Sequence, residues 1–166
     1  LEAISLTAPR CFNTPEEEAL YNKYKRYATL VYPYAVKAIK IFEETQYVTR
    51  HMKEKQRRKH IKRLQKELKD EFKEPLKKLT KTQGYILVKM IERERETPMY
   101  ELIRELRNGL TARYWQTMGS FFDYDLKHGY HVGDDPILDM IFEDLDISYT
   151  LPQRTEDIDP LAEPKF

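Results

Sequence analysis

The chain has 166 residues and a mass of 20.0 kDa, with 40% hydrophobic and 34% charged residues. That length suits one compact domain, and the lean apolar fraction implies an economical core beneath a heavily ionised surface. Five glycines are too few for a sandwich built on tight turns. No apolar run approaches the roughly 18 residues of a membrane span, and the formal net charge is only +1.

Residues 1–13 read as an extended lead-in, in which Ile4 and Leu6 alternate with polar neighbours until Pro9 stops any regular element. The chain opens Leu1-Glu2-Ala3 with no methionine, basic start or long apolar core, so it shows no signal peptide and reads as processed or trimmed. The single cysteine, Cys11, excludes an intramolecular disulfide framework and a cysteine-rich zinc site. At Thr14-Pro15-Glu16-Glu17 a helix begins, with Thr14 as cap, Pro15 at the first position and Glu17 closing a capping box. Leu20, Tyr24, Tyr27, Ala28, Val31, Ala35, Ala38, Ile39 and Phe42 continue a helical stripe, which predicts helix from about 15 to about 48. Pro33 within it predicts a kink or two abutting helices.

Residues 50–81 hold 14 Lys/Arg against 5 Asp/Glu, a local charge of +9. From Ile61 through Leu64, Leu68, Phe72, Leu76 and Leu79 the apolar spacing of three and four forms a narrow coiled-coil-like seam. The two stretches together predict a long, kinked antiparallel helical hairpin over about 15–79, with its tip around 48–58.

Shorter helices follow over about 82–145. Pro75 and Thr80 to Gly84 mark the return to a compact body, and Tyr85, Ile86, Leu87, Val88, Met90 and Ile91 read as a central buried helix. Thr97-Pro98 repeats the cap-plus-proline signal, and Asn108-Gly109 ends that helix. Ala112, Tyr114, Trp115, Met118, Phe121 and Phe122 predict another, and Asp134-Asp135-Pro136 starts a last short one. The reading is an all-α fold, the hairpin packed with a bundle of shorter helices in a single helical domain over 14–149. An acidic, proline-containing tail over 150–166 reads as disordered or laid along the surface. The net +1 conceals two ends, since residues 50–81 carry +9 and residues 134–166 carry −8.

Four groups of residues could carry chemistry. Lys53, Lys55, Arg57, Arg58, Lys59, Lys62 and Arg63 form a candidate surface for an anionic partner, whose binding would release counterions and weaken with salt. No aromatic residue lies between Tyr47 and Phe72 to stack on bases, which weighs against nucleic acid. No large apolar residue lies between Met52 and Ile61 to seat the face in a bilayer. The bland alternative is a solvated helix face, docking its own acidic tail or nothing. Asp123, Asp125, His128, His131, Asp134 and Asp135 include metal-ligand types, yet their order matches no metalloprotease or calcium-loop spacing, and no metal site or cofactor is expected.

Glu92, Glu94 and Glu96, followed by Glu101 and Glu105, could pair carboxylates for acid/base work, although the interleaved arginines point to ion pairs. A partly buried Arg93–Glu94 pair is expected at the end of the central helix. The tyrosines crowding the first helix could line a groove, but packed rings with wet hydroxyls explain them more simply. Nucleophilic catalysis finds no motif, because there is no Gly-x-Ser-x-Gly elbow or Walker loop and Cys11 has no nearby histidine.

Several landmarks resemble a known family: Thr7-Ala8-Pro9-Arg10, Val31-Tyr32-Pro33-Tyr34-Ala35, Phe72 to Thr80, Gln83-Gly84, Arg93-Glu94, Tyr100-Glu101-Leu102-Ile103 and Tyr124-Asp125-Leu126-Lys127. Their order is similar to the Bacteroidetes proteins grouped as domain of unknown function number 4294, over about residues 7–145. The resemblance implies an α-helical fold and, because many members carry a secretion signal, residence in the periplasm or cell envelope. It implies no reaction, so Tyr32, Pro33, Tyr34, Gln83, Gly84, Arg93, Glu94 and Tyr100 are motif positions without an attached role. Arg95-Glu96 stand where Thr-Gly is usual, and His131-Val132 where Asp-Pro is usual. The functional expectation is a non-enzymatic envelope binding or scaffolding protein whose basic hairpin contacts an anionic surface or an envelope protein. The alternative is an enzyme using carboxylates and histidines around 92–105 and 123–135, with or without a metal. Composition leaves the oligomeric state open.

Overall fold

The computed structural model describes residues 10–106 and 125–145. The lead-in before Arg10, the Asn108-Gly109 stop, the expected helix bearing Trp115, and the tail beyond Leu145 lie outside the described residues. The helices are α1 (Pro15–His51), α2 (Glu54–Lys78), α3 (Lys81–Arg95), α4 (Met99–Glu105) and α5 (Pro136–Asp144), with no strand among the described residues.

α1 starts where its sequence says it should. Thr14 Oγ1 accepts the amide of Glu17 at 3.1 Å, but the Glu17 carboxylate reaches back to the amide of Asn13 at 2.8 Å, one residue before the cap. One continuous helix runs through Pro33, so the alternative of two abutting helices does not hold. Pro33 and Thr29, whose carbonyl loses its partner, are both exposed, and water can replace the missing bond. At 1.5 Å per residue α1 is about 55 Å long and α2 about 37 Å. They are joined through Met52 and Lys53, within the expected tip. α2 also runs through its proline, Pro75, before stopping at Lys78.

α3 opens with a full capping box at Thr80 and Gln83, in the stretch expected to mark the return to a compact body. Thr80 Oγ1 accepts from Gln83 N at 3.2 Å, and Gln83 Oε1 accepts from Thr80 N at 2.9 Å. Its far end closes in a Schellman turn: Thr97 N–H reaches Glu92 O and Glu96 N–H reaches Arg93 O, both at 3.3 Å. Glu96 sits at φ 47°, the left-handed region that favours glycine and that a side chain resists. Glu96→Gly is therefore expected to stabilise the protein by about 1 kcal/mol, read as a higher urea midpoint at unchanged slope.

α1 packs most extensively on α3, then on α2 and α5. Ala28, Ala35 and Ala38 are fully buried or nearly so on α1 and let its neighbours approach closely. Around them gather Val31, Ile39 and Phe42 of α1, Leu64, Leu68 and Phe72 of α2, and Ile86, Leu87, Met90 and Ile91 of α3. Leu102 and Leu106 with Ile137, Leu138, Ile141 and Phe142 complete the core. Each fully buried Leu, Ile or Phe contributes roughly 1.5–3 kcal/mol before entropy is counted. Near the hairpin tip Val48 and Ile61 are buried as well. The tyrosines of α1 behave as packing residues: Tyr21 is buried, while Tyr24, Tyr27, Tyr32 and Tyr34 lie half-buried against the core.

Candidate functional site: the basic face of the hairpin

α2 sorts its side chains by angle. Ile61, Leu64, Leu68, Phe72 and Leu76 are buried toward the core. On the opposite side stand Lys55, Lys59, Lys62, Lys66, Lys69, Lys73 and Lys77, spaced by three and four residues and all exposed. That spacing puts seven ammonium groups on one ridge about 33 Å long, about 5.5 Å apart along the axis. The five carboxylates of α2 occupy other positions, and four of them are engaged: Glu71 with Lys37 of α1 at 2.7 Å, Glu54 with Arg58 at 2.5 Å, Glu74 with Lys77 at 3.0 Å, and Glu67 with Arg63 at 4.0 Å. The Lys77 ammonium, by its hydrogen bond, holds the Glu74 carboxyl below the usual carboxylate range. Among the described residues, the ridge lysines other than Lys77 make no ion pair.

The seven residues expected to bind a partner are thereby divided. Lys55, Lys59 and Lys62 lie on the ridge, and Lys53 sits in the turn as the residue preceding α2. Arg58 is tied to Glu54, Arg63 bridges to Glu44 of α1, and Arg57 is half-buried. Lys66, Lys69, Lys73 and Lys77 were missed. The signal of the first three was present as a Lys-x-x-x-Lys pair recurring every seven residues at 55/59, 62/66 and 69/73, with Lys77 four residues further on, which a segment total of charge averages away.

The histidine-carboxylate cluster is mostly turn chemistry. His128 Nε2 lies 2.8 Å from Asp134 Oδ2, and His131 Nε2 lies 2.8 Å from the carbonyl of His128. Asp125 accepts from Lys127 N at 2.8 Å, and Asp135 caps α5 by accepting from Leu138 N at 3.2 Å. Asp139 joins the two ends of the turn, accepting the Tyr130 hydroxyl and the Gly133 amide, the latter at 2.7 Å. Burial and the Asp139 contact push the Tyr130 hydroxyl well above its ordinary range. Asp123 lies outside the described residues, and among those described no three His, Cys, Asp or Glu side chains gather as a metal would need.

The carboxylate run is dispersed by its helix. The buried ion pair is not Arg93–Glu94, whose adjacent positions diverge on a helix, but Lys89–Glu92, three residues apart on the inner face. Lys89 Nζ donates to Glu92 Oε2 at 3.0 Å and to the carbonyl of Gly129, and lies 5.8 Å from the centre of the Tyr85 ring. The other Glu92 oxygen accepts the Met99 amide at 2.8 Å and so caps α4, in place of the Thr97 cap expected from sequence. The Thr97 hydroxyl instead donates to Arg95 O. Glu94 is half-buried, and that burial pushes its carboxyl up. Arg95 crosses to Glu43 at 2.8 Å and Gln46 at 2.5 Å on α1. Glu101 pairs with Arg104 at 2.5 Å, and the Glu105 side chain lies outside the described residues.

The remaining landmarks hold elements together. Tyr34 meets Phe72 edge-on at 6.3 Å, so the second motif touches the third. Tyr32 packs half-buried on the core, Pro33 is exposed, and Gly84 is buried behind Gln83. The Arg93 guanidinium lies 5.6 Å from the Phe142 ring centre. Tyr100 N–H donates to Leu126 O at 3.0 Å, and Lys127 sits 5.2 Å from the Tyr100 ring centre. Arg10 grips Asp144 through Nε and Nη2 at 2.8 to 2.9 Å and also reaches Glu143 at 2.9 Å.

A family model described as Domain of unknown function (DUF4294) matches residues 1–144. No curated protein and no solved structure matches the chain.

Proposed function

Since the chain belongs to the family described as Domain of unknown function (DUF4294), we propose its function from its surface: a non-enzymatic binding or scaffolding module of the cell envelope that holds an anionic partner on α2. The observation that carries this reading is the lysine ridge. Seven exposed cations share one side of a helix, while most of the carboxylates that could neutralise them are paired elsewhere. A helix needing only solubility would intersperse both signs. The compartment comes from the family resemblance, and fractionation of the full-length gene product would test it.

The binding test is retention on immobilised anionic ligands across a salt series, using a polyuronate, anionic vesicles, an acidic helical peptide and duplex DNA. The wild-type protein is expected to bind at least one of them, more weakly as salt rises. Lys55→Glu, Lys62→Glu and Lys69→Glu together should abolish retention, while Arg57→Gln with Arg58→Gln leaves it. Equal retention of both variants would remove the ridge from the account.

A further inference from the structure

We propose that the occupant of the ridge is a linear anionic polysaccharide with one negative charge per sugar ring, lying lengthwise along α2. The inference rests on the reading of α2 as a binding surface and names the partner's chemistry.

The shape of the charge argues for a line. The lysines occupy a narrow arc along the helix, flanked on one side by Asp70, Glu74 and the Arg63 that pairs with Glu44, and on the other by Gln65, which donates to Leu106 O, and the Arg58 that pairs with Glu54. A broad phosphate surface would meet more of the helix than this arc presents. The ridge is also chemically uniform, made of ammonium groups with no arginine fork among them. Ammonium groups act as point charges that accept any approach angle, whereas bidentate recognition of phosphate selects guanidinium.

What the ridge lacks narrows the class further. It has no aromatic residue for bases to stack on and no apolar residue to enter a bilayer. A second helix would need an apolar seam to pack against, and the seam of α2 is already buried against its own core. A hydrated polymer needs none of these. The lysines stand about 4.5–6 Å apart along the axis, the length scale of one pyranose ring, and their flexible stems let carboxylates that point different ways around a polymer each find an ammonium. Exposed ion pairs are individually weak, and such a site gains affinity only by engaging many at once.

The test uses oligogalacturonates of two to ten rings, titrated calorimetrically against the full chain at low salt. Affinity should climb at least 100-fold between two and seven rings, the number of lysines in the ridge, and flatten beyond. Lys55→Glu/Lys62→Glu/Lys69→Glu should lose at least tenfold for the heptamer at wild-type helicity. If charge reversal disturbs folding, Lys59→Gln/Lys66→Gln/Lys73→Gln makes the same comparison. Equal affinity for two and seven rings, or unchanged heptamer binding by the ridge variants, overturns the proposal. Binding of anionic vesicles or an acidic helix through the ridge, without binding of the oligomers, overturns the polysaccharide and leaves α2 as a binding surface. Failure of every anionic ligand overturns both.

Discussion

Glu92→Ala is expected to cost about 3–5 kcal/mol, measured as a lower urea midpoint. Glu92 is 1% exposed and serves two elements with its two oxygens, the ammonium of Lys89 and the first amide of α4. Truncation leaves a buried cation facing only the carbonyl of Gly129 and the Tyr85 ring, together with an orphaned amide at a helix start. With domain stabilities of about 5–15 kcal/mol, this one change is a large share of the whole. Glu92→Gln should cost less, because an amide oxygen can still accept from Met99. The pair Lys89→Met/Glu92→Ala should cost less than the sum of its single variants, since no unpaired charge remains. Additive costs would show that the two side chains act separately.

Arg10→Ala is expected to cost about 2–3 kcal/mol in the same measurement. The arginine is 28% exposed, but the carboxylate it grips, Asp144, is only 8% exposed and also accepts the Tyr21 hydroxyl. Removing the guanidinium takes away the charged donors that Arg10 brings to this buried carboxylate. The same knot gives a signature at high pH. Burial first, and then the Asp144 hydrogen bond, push the Tyr21 hydroxyl from 10.0 to about 12. Folding thus favours the protonated phenol. That stabilisation is complete below pH 10 and disappears as pH rises through about 12, the window where Tyr85, also raised to about 12 by burial, acts in the same direction. Tyr21→Phe should flatten the alkaline loss of stability across that window, and an unchanged slope would contradict the assignment.

Local signals were legible in the sequence. Thr14-Pro15 and Asp135-Pro136 announce helix starts because a cap and a proline act within one turn, and both operate in the structure. The seam from Ile61 to Leu76 placed α2 against the core because burial follows helical period. Three features escaped, each for its own reason. Lys89 and Glu92 sit among apolar residues, and pattern reading sends charges outward unless a partner is known. Their partners, Gly129 and Met99, come from a loop and the next helix. Arg10 and Asp144 are 134 residues apart, and no local rule spans that distance. The lysine ridge was hidden by arithmetic, since a total of +9 says how much charge a segment holds and nothing about its phase.

That phase has a mechanical consequence. Each ridge lysine faces another three or four residues away, a spacing at which like charges work against the helix. α2 is therefore held against the core by its seam while its outer side pushes along its own length. Salt, which loosens most surface electrostatics, should relax this helix instead, and an anion laid on the ridge would act as a splint.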